Sequence, residues 1–113
     1  MMLQSVLAGL TAWLLIVAMP SEALTTVEAE KLFVHQVFPL LQTKCFVCHG
    51  DDPTDIRGSL DLTRRQNMID HQVLIPGQAQ QSRLYQSVTW QDKKLQMPPK
   101  VNDRLTAEQI DLI

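Results

Sequence analysis

The sequence has few of the features that mark several common classes of protein. Its 113 residues include ten Lys and Arg against twelve Asp and Glu, a net charge of -2, with no block of like charge. The basic surface of a nucleic-acid-binding protein is therefore not expected. The sequence contains no internal repeat and no Gly-rich phosphate loop, and its length allows one small domain. Only 5% of the residues are aromatic, so the core of such a domain would gain from a large, flat ligand.

One long apolar run, VLAGLTAWLLIVAM, lies near the N-terminus and is followed by Pro20, Ser21 and Ala23. The run is shorter than the roughly 20 residues of a membrane-spanning helix, and the small residues after it suit a signal peptidase. We therefore predict a signal peptide over residues 1–23. Residues 24–113 would then form an exported domain, periplasmic or otherwise extracytoplasmic. The alternative is an uncleaved anchor, which would attach the exported domain to a membrane.

The segment KCFVCHG contains both cysteines, Cys45 and Cys48, followed directly by His49. A disulfide between the two would close too small a loop to restrain much chain. A thioredoxin-like redox pair needs a strand-to-helix junction, and no strand pattern precedes Cys45. A zinc site would have to recruit His35 or His71, and neither lies at zinc-finger spacing. The favoured interpretation is the attachment signature of a c-type haem, in which two thiols add to the vinyl groups and the histidine binds the iron.

A haem iron has two axial positions, and His49 would fill one of them. Met97 is the predicted second ligand, because two prolines follow it and hold the backbone in a stiff, extended loop that can aim a side chain. His71 is the rival ligand, since imidazole also binds haem iron. Met68, the other methionine outside the predicted signal peptide, is expected to pack in the core.

The segment before the cysteines predicts an amphipathic helix. Thr25 and Glu28 have the spacing of a capping box, and apolar residues follow at spacings of three and four, Val27 and Val34 among them. Pro39 should end or kink this helix. Residues 40–44 should then form a turn that leads into the cysteine motif.

The rest of the chain predicts short helices and long connections. Residues 50–66 are rich in Gly, Asp, Pro and Ser and should form a loop, with a helical turn over residues 63–68. Ser82 should cap a short helix, and Thr106 with Gln109 should cap the last one. These patterns together predict an all-α domain with long loops.

Four segments, CFVCHG, RGSLDL, LIPGQAQQSRLYQSV and MPPKVNDRLTAEQIDLI, resemble in this order the planctomycete-type cytochrome c domain. The resemblance covers roughly residues 32–113 and implies a small cytochrome c-like helical domain around one covalent haem c. Ser59 stands where the family usually has a second glycine. The last helix lacks the Trp-containing end seen in the family, so we expect a domain truncated in its C-terminal helix. Such a domain would be a module of a longer exported protein with fused C-terminal domains.

The resemblance implies the same site residues as the motif: Cys45 and Cys48 as thioether sites, and His49 and Met97 as iron ligands. An iron with both axial positions filled by side chains exchanges electrons with a redox partner protein and does not bind oxygen or peroxide. We therefore expect an electron carrier rather than an enzyme. The alternative is the haem domain of an exported enzyme, either peroxidase-like with an open sixth site or feeding electrons to a downstream catalytic domain.

Basic residues and one tryptophan are candidates for further contacts. Arg57, Arg64 and Arg65 are candidate partners of the haem propionates, because guanidinium suits bidentate contact with carboxylates, and we single out none of them. Trp90 is a candidate donor to a propionate, or packing at the haem edge. The lysines around Met97 would present a positive patch to an acidic partner; they are Lys93, Lys94 and Lys100.

Overall fold

The computed structural model describes residues 23–113, and the predicted signal peptide, apart from Ala23, lies outside them. Every regular element in this part of the chain is helical and no β-strand is present there, which confirms the predicted all-α fold. None of these helices is long and apolar enough to cross a membrane. The α-helices are α1 (Thr26–Leu32), α2 (Phe38–Leu41), α3 (Val47–His49), α4 (Arg65–Asp70), α5 (Arg83–Val88) and α6 (Ala107–Asp111). Short 3-10 turns lie at Arg57–Ser59, Ala79–Gln81 and Val101–Asp103.

The first helix begins at the predicted capping box. The Glu28 N–H donates to the Thr25 hydroxyl at 3.3 Å, and the Thr25 N–H donates to the Glu28 carboxylate at 3.0 Å. These reciprocal bonds satisfy two N–H groups that have no partner inside the helix. The prediction for this end of the helix is confirmed.

Pro39 does not end the helix, and residues 40–44 are helical rather than a turn, so the predicted helix end and turn were wrong. Phe33–Val37 and Gln42–Phe46 are π-helical and join α1, α2 and α3 into one continuous helical stretch. The Phe38 N–H bonds to the Phe33 carbonyl five residues earlier, which widens the turn just before the proline. Pro39 therefore enters α2 as its second residue, where a missing N–H is tolerated.

The two halves of this helical stretch are buried to different degrees. No side chain of α1 is buried, and Val27 and Val34 on the predicted apolar face are exposed. Leu40, Leu41 and Phe46 in the second half are buried. The predicted amphipathic character therefore holds only for the half that leads into the cysteine motif, because the other buried residues of the described chain pack against that half.

Two hydrophobic clusters form the core, and the helical stretch contributes to both. The larger cluster consists of Leu41, Phe46, Leu62, Met68 and Val73. The smaller consists of Leu40, Val88 and Leu105. Leu84 of α5 packs against both clusters, and Met68 is buried as predicted.

The loop after the cysteine motif ends in α4, which begins two residues later than the predicted turn over residues 63–68. The Thr63 N–H and hydroxyl both donate to Oδ1 of Asp61, at 2.9 and 2.6 Å. This local turn competes with helix for the Thr63 backbone. Arg64 is consequently extended, and the helix starts at Arg65.

The two later caps differ from each other. Thr106 and Gln109 form a full capping box at the start of α6, as predicted. Ser82 stands at the N-cap position of α5, but its side chain does not cap that helix, contrary to the prediction. Its hydroxyl instead accepts from the Ile75 N–H at 2.9 Å and donates to the Gln78 carbonyl at 2.9 Å. This buried hydroxyl fixes the preceding loop against α5.

Candidate functional site

A cavity of about 720 Å³ lies between the two hydrophobic clusters and is lined by residues of both, including Leu62 and Val88. Pockets for cofactors and small molecules are typically about 300–1,000 Å³. The cysteines, histidines and methionine predicted as site residues or rival ligands all line it: Cys45, Cys48, His49, His71 and Met97. The fold thus gathers these residues from distant parts of the chain around one space.

His49 is held by the segment that follows the first loop. Its Nδ1 lies 3.2 Å from the Leu60 carbonyl oxygen, to which a protonated Nδ1 donates. The Leu62 N–H donates to the backbone carbonyl of His49 at 2.8 Å. A histidine that donates from Nδ1 to a carbonyl presents Nε2 as its metal-binding atom, and such a partner fixes the ring orientation.

Gly50 allows this segment to approach the end of the helix. A Cβ at this position would clash with the Thr63 side chain and would lie 3.2 Å from Oδ1 of Asp61. The glycine directly after the histidine therefore permits the close contact that places the Leu60 carbonyl beside the imidazole.

Cys45 and Cys48 lie on the last helical turns before Gly50, and no disulfide joins them. Burial raises the pKa of the Cys45 thiol to about 11, with a smaller contribution from the neighbouring Cys48. Redox-active and metal-binding cysteines have lowered pKa values, because the thiolate is the reactive form. The buried Cys45 thiol is thus poorly suited to a thioredoxin-like role, which needs a reactive thiolate. The described residues also contain no group of three or more metal-binding side chains.

Met97 lies in an irregular loop, as its neighbouring prolines predict, and the Met97–Pro98 peptide bond is cis. Its backbone is anchored at both polar groups: its N–H donates to the Ser87 carbonyl at 3.1 Å, and its carbonyl accepts from Nε1 of Trp90 at 3.1 Å. The side chain is 41% exposed. Met97 is therefore not a core residue, and its thioether borders the cavity.

His71 also borders the cavity, directly after α4. Its side chain is exposed, and its backbone N–H bonds to the Asn67 carbonyl at 3.1 Å. His35 is exposed in the π-helical segment Phe33–Val37 and does not line the cavity. The structure thus leaves Met97 and His71 as two candidate partners for an iron held by His49.

The cavity is bordered by more positive than negative charge. Its lining contains five cationic side chains and one carboxylate: Lys44, Arg57, Arg83, Lys94, Lys100 and Asp103. This excess contrasts with the net charge of -2 of the whole chain. Among the three arginines named from the sequence as candidate propionate partners, Arg57 lines the cavity, whereas Arg64 and Arg65 do not. Arg64 instead lies 3.7 Å from Asp61 at the surface.

Three features of the site could not be found by reading the sequence. The Leu60 carbonyl is a backbone group, and nothing in the residue pattern marks it as a partner of His49. Arg83 lies within the LIPGQAQQSRLYQSV segment, but nothing in the residue pattern marks its side chain as part of the site. Trp90 contacts the Met97 carbonyl rather than lining the cavity. The spacing of seven residues between Trp90 and Met97 is the signal in the sequence that could suggest the last contact.

Comparison with known proteins agrees with this geometry. The sequence profile of the family described as "Planctomycete cytochrome C" matches residues 45–100. No curated protein and no solved structure is significantly similar to the chain. The matched segment contains the CFVCHG motif, the RGSLDL segment and the MPP loop, whose residues close around one cavity. Residues 45–100 therefore form a domain of the planctomycete cytochrome c family, and this membership implies a covalently bound haem and electron transfer through it.

Proposed function

We propose that this chain carries single electrons through one haem c that is attached to Cys45 and Cys48 and bound axially by His49 and Met97. The observation that supports the proposal is the cavity itself. Both thiols, the imidazole and the thioether line the same space, although Met97 is far from the cysteines in the sequence. The role belongs to an electron carrier, and the chain alone would not be an enzyme.

The residues around the cavity fit the proposed cofactor. Apolar side chains of both clusters suit a flat, apolar macrocycle, and two thiols lie beside a histidine whose Nδ1 is engaged by a carbonyl. The raised pKa of Cys45 keeps this residue as a neutral thiol, which can be buried without an ionic partner. The cationic border suits the two carboxylates of a haem, with Arg57 and Arg83 as the guanidinium groups.

When bound, a haem with His/Met ligation supplies an Fe(II)/Fe(III) couple of raised potential. The contribution of the chain is to present two protein ligands and to exclude others. Leu60 orients the imidazole through Nδ1, and Ser87 and Trp90 hold the Met97 backbone. His49 and Met97 would hold the iron of a bound haem from the protein side, which would leave small oxidants no open position at which to bind.

The proposal includes export and a protein partner. Domains of this family are typically extracytoplasmic, which agrees with the signal peptide predicted for residues 1–23. The positive border of the cavity would attract an acidic surface on a redox partner and speed its approach at low salt. Fused domains that follow this module in a longer protein would be alternative electron acceptors within one molecule.

The proposal is tested on the full chain expressed with a cytochrome c maturation system. Haem that remains in the protein after acid-acetone extraction would show covalent attachment, and extracted haem would contradict it. A reductive titration should give one reversible one-electron transition. The reduced protein should not bind carbon monoxide at pH 7, and the oxidised protein should not turn over peroxide. Ready carbon monoxide binding with peroxide turnover would instead support the peroxidase-like alternative with an open sixth site.

A further inference from the structure

Trp90 occupies a backbone position that suits glycine better than tryptophan. Helix α5 ends at Val88 with Thr89 as its C-cap, and Trp90 follows with φ 59°. The residue after a C-cap often takes this left-handed conformation, and it is usually glycine, because a Cβ is strained there. Strained residues of this kind tend to persist where the surrounding contacts hold them, commonly at functional sites.

Two side-chain contacts hold the indole of Trp90 in place. Its Nε1 donates to the Met97 carbonyl at 3.1 Å. The guanidinium carbon of Arg104 lies 4.4 Å from the ring centroid, which is within the range of a cation–π contact. The indole therefore connects the end of α5, the MPP loop and the segment before α6. Trp90 itself is not among the described residues that line the cavity.

The Met97 side chain has few other restraints. It is 41% exposed, and the hydrogen bonds that hold the residue are those of its backbone to Ser87 and Trp90. The Ser87 bond is made by main-chain atoms and cannot be removed by changing a side chain. The Trp90 bond depends on one side-chain N–H, so it is the hydrogen bond to Met97 that a substitution can remove.

We propose that Trp90 is a positioning residue, which through its indole N–H and the cation of Arg104 sets how firmly the Met97 thioether holds its place at the iron. This inference rests on the proposed ligation by Met97. It assigns no contact between Trp90 and the haem. Loosening the anchor should raise the fraction of molecules whose sixth position is open to a competing ligand, while the covalent attachment is unchanged.

The test measures imidazole binding to the ferric protein by absorption spectroscopy, in the wild type and in Trp90→Phe. The variant keeps an aromatic ring beneath Arg104 and removes only the N–H donor. We expect imidazole to bind about fivefold more tightly to Trp90→Phe, the ratio to which one neutral hydrogen bond corresponds. In a Met97→Ala background the same change should leave imidazole binding unaltered, because the anchored ligand is absent.

A merely structural role gives a different result. If Trp90→Phe lowers the melting temperature but leaves the imidazole affinity at the wild-type value, the proposal is overturned. If Trp90→Phe does not accumulate as haem protein, Arg104→Gln replaces it in the test, because it keeps the indole and removes the cation above it. Arg104→Gln should tighten imidazole binding by about threefold, the effect of a weak cation–π contact, and unchanged binding would overturn the proposal.

Failure of the proposed function would be seen separately. If Met97→Ala binds imidazole with the wild-type affinity, then Met97 is not the ligand and the proposed ligation fails. If Met97→Ala binds imidazole more tightly but Trp90→Phe does not, the ligation stands and only the role of Trp90 is refuted.

Discussion

The segment around His49 and the segment around Met97 border the same cavity, but they hold their side chains in different ways. The His49 ring is itself hydrogen-bonded, through Nδ1 to the Leu60 carbonyl, and its backbone carbonyl accepts a bond from Leu62. The Met97 side chain has no such partner, since its two anchors engage only its backbone. One side of the site fixes a side-chain orientation, and the other fixes only the position of a loop.

This difference indicates which side of the site can be substituted with the smaller loss of protein stability. A change on the His49 side must disturb a helix end packed against Leu62, a buried residue of the larger cluster. A change of the Met97 side chain affects an exposed residue whose hydrogen bonds are made only by its backbone. We therefore expect variants near His49 to alter stability and cofactor retention, and variants near Met97 to alter redox potential and ligand access.

The largest effect should follow loss of the proposed covalent haem, which would lie between the His49 and Met97 segments. A Cys45→Ala, Cys48→Ala double variant should lose covalent haem and most of its helix content, because a cavity of about 720 Å³ would divide an already small core. Circular dichroism and thermal melting measure this. Val47→Ala is the matched control, since Val47 lies between the cysteines and is 67% exposed. Native helix content with cooperative melting in the haem-free double variant would contradict the prediction.

Local signals in the sequence predicted the starts of the first and last helices, whereas the helical path and the site contacts needed the structure. The capping boxes at Thr25 and Thr106 involve residues three positions apart, so both were predicted correctly. Pro39 was misjudged because the π-helical turn before it depends on how the whole stretch packs. The Ser82 hydroxyl was misassigned because it bonds to the preceding loop, including Ile75, seven residues away.

The chemically specific residues that line the cavity could be predicted from the sequence, but the groups that hold those residues in place could not. The CFVCHG motif and the MPP segment contain chemically specific side chains, so reading the sequence identified residues that the fold brings to one cavity. The partners of those residues are largely backbone groups, such as the Leu60 carbonyl and the Ser87 carbonyl. Backbone groups are the same in every residue, and only the fold determines which of them meet.

The next largest effect should come from the Met97 side of the comparison. Met97→Ala removes a soft thioether that favours Fe(II), so the reduction potential should fall by about 59 mV for each tenfold loss of relative affinity for Fe(II). Potentiometric titration measures the shift. Acid-acetone extraction should still leave the haem attached, because the cysteines and His49 are unchanged. A potential equal to that of the wild type would contradict a role for Met97 at the iron.

A smaller effect is expected from the His49 side. Gly50→Ala places a Cβ against the Thr63 side chain and should destabilise the haem protein by about 1–3 kcal/mol. Denaturant unfolding measures this loss. Thr63→Ser offers a matched test, because it removes the methyl group that meets the new Cβ and keeps a hydroxyl that can donate to Asp61. The double variant should recover part of the lost stability, and equal losses with and without Thr63→Ser would show that the contact is not the cause.

The smallest effect concerns Ser59, two residues before Asp61 in the segment that supports His49. Its φ of 53° is a left-handed conformation, which explains why glycine suits this position. Ser59→Gly should raise the free energy of unfolding by about 0.5–1 kcal/mol, because it relieves the strain of a Cβ at positive φ. Ser59→Ala keeps the Cβ and should leave stability nearly unchanged. A stabilisation of equal size in both variants would assign the gain to loss of the hydroxyl and not to the backbone.

The central claim, that Met97 and not His71 completes the site opposite His49, is tested most directly by ferric absorption spectra of three proteins. The wild type and His71→Ala should both show a low-spin spectrum with the weak sulfur-to-iron band, since His71 is an exposed residue at the border of the cavity. Met97→Ala should lack that band. If the wild type lacks the band and His71→Ala alone changes to a high-spin spectrum, His71 is the ligand. A wild-type protein that is high-spin without either change would contradict both assignments and leave an open sixth site.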